Sequence, residues 1–195
     1  DTLWGAAGDD SIDGGPGSDL LLQTADTDQV LTDSSLTGRG TDTLGGIERA
    51  VLTGGSSANT LDPRGFSFGP VTLQGLAGND TLYGSPGNDS LDGGSGTDQV
   101  RQQVNSDQVV TDTSLSGQGS DVLFSIEQVI LTGGTGDNDL DASGFTVGPA
   151  TLNGGDGDDT LTGTSISDTL DGGPGIDTGN VVFNGNVVIT DTTLT

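Results

Sequence analysis

The stretch GLAGNDTLYGSPGNDSLDGGSGTDQVR, residues 75–101, decides the fold. It divides into three nine-residue blocks, 75–83, 84–92 and 93–101. Each has glycines at its start, an aspartate in sixth place and one apolar residue in eighth place. Glycine loses more conformational entropy on ordering than any other residue, so clustered glycines require a compensating interaction. A single apolar residue between polar neighbours has the period of a half-buried strand, and no window shows a helical period. The chain is expected to be all-β.

Composition sharpens the question that the glycines raise. The 195 residues include 36 Gly and 29 acids against four basic residues, all Arg, for a net charge of −25. With 29% apolar and 4% aromatic residues, the chain lies near the disordered class unless a cation folds it. There is no basic patch to meet phosphates, so nucleic acid is not an expected partner. Cys and His are absent, which removes disulfides, thiol chemistry and the commonest general base. No 18-residue apolar run suggests a membrane span, and DTLWGAAGDD is no signal peptide. The missing initiator Met reads as a piece of a longer protein.

The nine-residue frame sits inside a longer period. DTLWG at Asp1 returns as DTLYG at Asp80 and DTLTG at Asp159, a spacing of 79 residues. GIERAVLTGG (46–55) returns as SIEQVILTGG (125–134), and GFSFGP (65–70) as GFTVGP (144–149). Super-repeats 1–79 and 80–158 and a partial third, 159–195, are expected to form one continuous solenoid domain. Leu82, Leu91, Val100, Val109, Leu123, Leu140, Leu161 and Leu170 fall at the inward strand position of the frame.

The pattern G-G-x-G-x-D-x-U-x resembles that of the RTX (repeat-in-toxin) hemolysin-type repeat family. About half of the chain fits it closely. The resemblance implies a right-handed parallel β-roll, here of about ten coils, whose six-residue turns bind Ca²⁺ and whose short strands pack inward. It also implies secretion by a type I system, and hence a secreted or cell-surface bacterial protein. Calcium suits the residues: a hard cation takes six to eight oxygens, which glycine-rich turns supply as carbonyls and a short Asp supplies as carboxylate.

Alternation of turns between two edges places one glycine-rich ladder on one edge only. Its expected metal residues are Gly14, Gly15, Gly17 and Asp19; Gly38, Gly40 and Asp42; Gly75, Gly78 and Asp80; and Gly93, Gly94, Gly96 and Asp98. They continue with Gly117, Gly119 and Asp121; Gly133, Gly134, Gly136 and Asn138; Gly154, Gly155, Gly157 and Asp159; and Gly172, Gly173, Gly175 and Asp177. Asp10, Asn59 and Asp89 are weaker candidates. Asp98 is expected to serve ions shared with turns 75–80 and 116–121, while Asp107 lies on the glycine-poor edge. About eight Ca²⁺ would add about +16 and take the net charge from −25 to about −9.

The expected function is that of a non-catalytic calcium-binding module that folds outside the cell, with a calcium-stiffened spacer or adhesive segment as the alternative. Ice binding would need a regular row of outward Thr or Asn, and none forms. Asp residues committed to Ca²⁺ make poor general acids, so no enzyme is expected. Arg39, Arg49, Arg64 and Arg101 read as solvated charges, and Trp4 and Tyr83 as outward residues sharing one period position, a possible carbohydrate platform. Open end strands suggest end-to-end self-association.

Overall fold

The structure, a computed structural model, describes residues 1–182 and 188–190. Residues 183–187 and 191–195 of the expected partial super-repeat 159–195 lie outside the described residues. All regular structure among them is β: two sheets of 11 strands each, joined by turns. The chain alternates between the sheets. Thr2–Leu3 lies in the first sheet, Ser11–Asp13 in the second, Leu20–Thr24 in the first, and so on to Thr178–Asn180 and Val188–Thr190. Neighbouring strands of successive coils pair in parallel, as in Leu73↔Leu91↔Leu123 and Leu61↔Leu82↔Val100↔Val129. This is the expected parallel β-roll.

One core runs between the sheets, filled by the inward residues of the short strands. Leu82, Leu91, Val100, Leu123, Leu140, Leu161 and Leu170 are all buried to within 2% of full exclusion. Period-two alternation puts their neighbours outside, which explains how 29% apolar residues suffice. Val109 departs from the expectation. It is 45% exposed, and Gln108 and Val110 point inward instead, both fully buried.

The departure at Val109 marks a feature that nonapeptide counting did not reveal. Twice the chain reverses inside one sheet instead of crossing to the other. Gln29–Thr32, Ser35–Thr37 and Thr41–Gly45 form an antiparallel meander in the second sheet. Seventy-nine residues later Gln108–Thr111, Ser114–Gly117 and Gly119–Phe124 form the same meander in the first sheet. Each is anchored by a buried glutamine pair. Gln102 Nε2 donates to Gln108 Oε1 at 3.2 Å, and Gln108 Nε2 donates to the carbonyls of Val104 (3.3 Å) and Thr132 (2.8 Å). Gln23 and Gln29 repeat this arrangement.

The meanders overturn the single-edge assignment. Within each super-repeat the chain crosses between sheets an odd number of times, so equivalent turns fall on opposite edges in successive copies. Call edge I the one where the chain passes from the first sheet to the second. Turns 5–10, 37–42, 54–59, 75–80 and 93–98 lie on edge I; turns 14–19, 84–89, 116–121, 133–138, 154–159 and 172–177 lie on edge II. Counting nonapeptides through residues 25–45 and 104–124 treated two in-sheet reversals as crossings. The glycine-rich turns therefore run in segments along both edges.

Candidate metal centre

Each glycine-rich turn delivers its sixth residue to the inside of its edge. Asp19, Asp42, Asp80, Asp98, Asp121 and Asp159 are all no more than 2% exposed. One carboxylate oxygen of Asp42, Asp80, Asp98, Asp121 and Asp159 accepts a backbone N–H from a neighbouring chain segment, and Asp19 Oδ1 pairs with the terminal ammonium of Asp1. On edge I, Asn59 donates to Asp80 Oδ1 (2.7 Å), Asp80 to Asp98 Oδ1 (2.7 Å), and Asp98 to Glu127 Oε2 (2.8 Å). On edge II, Asn138 donates to Asp159 (2.8 Å), Asp159 to Asp177 (2.8 Å), Asp89 to Asp121 (2.9 Å) and Asp19 to Glu48 (2.9 Å). Asp10 donates to Asp42 at 3.0 Å on edge I. The neighbours of Asp98 are thus turns 75–80 and 125–127, while 116–121 belongs to the other edge beside 84–89.

In five of these six, all but Asp42, the second carboxylate oxygen has no partner. Oδ2 of Asp19, Asp80, Asp98, Asp121, Asp159, Asp168 and Asp177 is buried without a hydrogen bond. A buried oxygen of this kind requires an explanation, because its desolvation goes uncompensated. The cost appears in the acidities. Burial pushes Asp80, Asp98 and Asp159 above the ordinary carboxylate range, and Asp121 up to about 7.

Main-chain oxygens converge on the same points. A Cβ on Gly75 would collide with Asp80 Oδ2 and the Gly93 carbonyl oxygen, and one on Gly154 with Asp159 Oδ2 and the Gly172 oxygen. Gly93 faces Asp98 and the Ser125 oxygen; Gly14 faces Asp19 and the Gly46 oxygen; Gly172 faces Asp177. At Gly14, Gly75, Gly93 and Gly154 the first glycine of the turn keeps clear a cradle of carboxylate and carbonyl oxygens. Among the described residues no three carboxylates gather at one point. One acid per turn joined by carbonyls is a donor set for a hard cation.

The second and fourth places set the turn's shape. Gly94 and Gly96 have φ of +94° and +150°, and Gly155 and Gly157 of +106° and +125°; Gly15, Gly17, Gly38, Gly40, Gly117, Gly119, Gly173 and Gly175 are also left-handed. In turn 75–80 Gly78 follows this rule, but Leu76 holds the second place at φ +75°.

The Asn turns are built differently. Gly134 and Gly136 lie outside the left-handed region, and Asn138 Oδ1 accepts the Gly134 N–H at 2.8 Å. Asn59 closes on Gly55 in the same way at 2.9 Å. Two of the weaker candidates are closed as well: Ala6 N–H donates to Asp10 Oδ2 at 2.9 Å, and Ser85 donates to Asp89 from its N–H (2.6 Å) and its hydroxyl (3.0 Å).

Three residues of this arrangement were not visible in the nonapeptide pattern. Glu48 and Glu127, the only two Glu, end the short turns 46–48 and 125–127, where the longer side chain reaches the ladder that an Asp would miss. Asp168 lies in the glycine-poor GTSISD yet has a free Oδ2, while its Oδ1 accepts the Ala150 N–H at 2.9 Å. Its one sequence signal is that it stands 79 residues after Asp89.

A parallel β-roll whose turns each bury one acid against carbonyls defines a metal-binding repeat module. The RTX calcium-binding nonapeptide repeat (4 copies) matches residues 1–21, 72–100 and 148–178, and the chain carries these repeats as a calcium-binding module. No curated protein matches the chain.

Proposed function

We propose that this chain is a non-catalytic module that folds on binding Ca²⁺ outside the cell, in a secreted or cell-surface bacterial protein exported by a type I system. The observation that carries this reading is the row of buried, unpartnered Asp Oδ2 atoms beside carbonyl oxygens. Without a cation they repel one another in a chain of net charge −25. With one, each unpaired acid becomes a ligand, and binding to the folded state alone stabilises it by mass action.

The proposed ligands are Asp19, Asp80, Asp98, Asp121, Asp159 and Asp177 with their turn carbonyls, joined by Asp168. Seven turn aspartates with a free Oδ2 favour about seven ions, close to the eight expected from a single ladder. Asn59 and Asn138 are self-closed, and their turns take part through carbonyls alone. Extracellular modules bind Ca²⁺ at about 10⁻⁴–10⁻³ M, so such a chain stays unfolded in a cytosol poor in free calcium and orders after export.

The second reading, a calcium-stiffened spacer in a large adhesin, is favoured by the equal size of the two sheets, 11 strands each. A roll that lengthens equally on both faces stays straight. Far-UV circular dichroism tests the main reading. Millimolar Ca²⁺ should convert coil to β, chelator should reverse it, and Mg²⁺ should substitute poorly. A chain equally folded in chelator would sink it.

A further inference from the structure

Three of the chain's four basic residues lie in two notches on the outer faces of the roll. In the second sheet Thr81–Tyr83 is only three residues long, while Thr60–Gly65 on one side has six and Gln99–Gln103 on the other has five. The sheet therefore has a gap just beyond Tyr83. Tyr83 forms its floor, and Arg64, Arg101, Gln103 and Thr132 line a cleft of about 80 Å³. The Arg64 guanidinium carbon lies 4.0 Å from the Tyr83 ring centre and that of Arg101 lies 5.8 Å from it. Asp62 pairs with Arg64 at 2.7 Å. Among the described residues Arg101 forms no such pair.

The notch recurs one super-repeat earlier, on the first sheet. There Trp4, 68% exposed, stands in place of Tyr83, with Leu22 and Thr24 in place of Arg101 and Gln103. Arg39 comes in from the neighbouring hairpin, and the cleft measures about 200 Å³. No carboxylate lines either cleft. With 29 acids against four Arg, chance would scatter the cations and surround each with Asp. Instead Arg64 and Arg101 lie over Tyr83, and Arg39 lines the same cleft as Trp4, beside hydroxyl and amide groups.

We propose that the Tyr83 and Trp4 notches bind an acidic saccharide, one site on each face of the roll. Arginine's planar fork matches a carboxylate in bidentate fashion. Tyr83 holds the two guanidinium groups of its notch by cation–π contact; Arg64 is already forked onto Asp62, so an anion entering the notch neutralises the pre-placed, unpaired charge of Arg101. Gln103, Thr132 and Thr24 offer donors and acceptors to sugar hydroxyls. The open face of Trp4 offers a surface for the apolar face of a pyranose ring.

The chain itself supplies substitutions that its fold tolerates. Leu22 occupies the Arg101 place in the first super-repeat, and Thr162 the Tyr83 place in the third. Calorimetric titration of the calcium-loaded chain at 0.15 M salt with trigalacturonate should show two sites. Galactotriose and acetate should each bind at least about tenfold more weakly, because each lacks half of the contacts. Arg101→Leu and Trp4→Thr should each remove one site while the calcium-induced circular dichroism stays unchanged, and Trp4→Thr should also abolish any ligand-induced change in tryptophan emission. Absence of saturable binding at millimolar trigalacturonate overturns the inference. So does equal binding of galactotriose or of acetate. If the double variant Arg101→Leu/Trp4→Thr binds like the parent, the ligand sits on the calcium ladder and the notches are not sites.

Discussion

Asp80 and Asp159 occupy the same place in the super-repeat, 79 residues apart, yet lie on opposite edges of the roll. Both are buried, both accept the N–H of an Asn in the preceding turn, and both leave Oδ2 free. The odd number of crossings per super-repeat has a structural consequence. Each meander adds two strands to its sheet, about 10 Å of length at roughly 4.8 Å per strand. Were both meanders in one sheet, that sheet would outgrow its partner and bend the rod. Placed in alternate sheets they cancel, and both sheets count 11 strands.

The two edges should respond alike. Asp80→Ala and Asp159→Ala each remove the acid from an equivalent cradle, and each should cost roughly 3–5 kcal/mol in the calcium-loaded state, on the scale of breaking a buried charge pair. Asn138→Ala removes a turn-closing bond and a long bond to Asn105 but no free acid, and should cost about 1 kcal/mol. Urea unfolding in saturating calcium measures all three. A large effect from only one of the two aspartates would argue for a single metal edge.

Acidity should substitute in part for calcium in folding the roll. Burial raises Asp121 from 3.8 to about 7 in the folded state. In calcium-free solution its contribution to stability is therefore fully present below about pH 4, with the acid protonated, and is lost as pH rises through about 7. Calcium replaces that proton. Lowering the pH from 7.5 to 5.5 should lower the calcium midpoint of folding, because the proton stabilises the calcium-free roll while the unfolded chain stays ionised, and Asp121→Asn should weaken this dependence. Titrations followed by circular dichroism at three pH values provide the measurement, and a midpoint independent of pH would contradict the assignment.

Leu76 is strained where its counterparts are glycine. Its φ of +75° costs a non-glycine residue about 1–2 kcal/mol, and its side chain is 49% exposed, so little packing offsets that cost. Leu76→Gly should stabilise the loaded roll by about 1 kcal/mol. Thermal unfolding in calcium checks the sign.

The buried glutamines hold the meanders. Gln108→Leu leaves the carbonyls of Val104 and Thr132 without their donor and should cost about 2–4 kcal/mol, since each orphaned buried acceptor costs about 1–3 kcal/mol. Asp121 lies in the last strand of the meander, Gly119–Phe124, yet its ladder bond comes from Asp89. The number of calcium ions per chain should therefore be unchanged, as counted by titration under conditions where the variant remains folded.

The repeat made most of the fold legible. One apolar residue per nine fixed the short strand, and every predicted inward residue except Val109 is buried. Val109 failed because the block 102–110 belongs to a meander anchored by Gln102 and Gln108, and two buried amides leave no apolar signature. The sixth-place aspartates were found for the same local reason: a six-residue turn with left-handed second and fourth places aims its last residue inward. Glu48 and Glu127 escaped notice because their turns are shorter, and Asp168 because its turn lacks the glycines.

By itself the sequence determined the strand period, the parallel roll, the oxygen-only chemistry and the identity of most turn acids. All of these follow from nine consecutive residues and their sterics. Only the tertiary structure decided which edge each turn occupies, which acids keep a free oxygen, and that Arg64 and Arg101 meet over Tyr83. The first depends on how often the chain crosses between sheets, a quantity fixed by two in-sheet reversals and the buried Gln pairs that anchor them; the other two depend on which side chains neighbouring coils bring together, which no local motif sets.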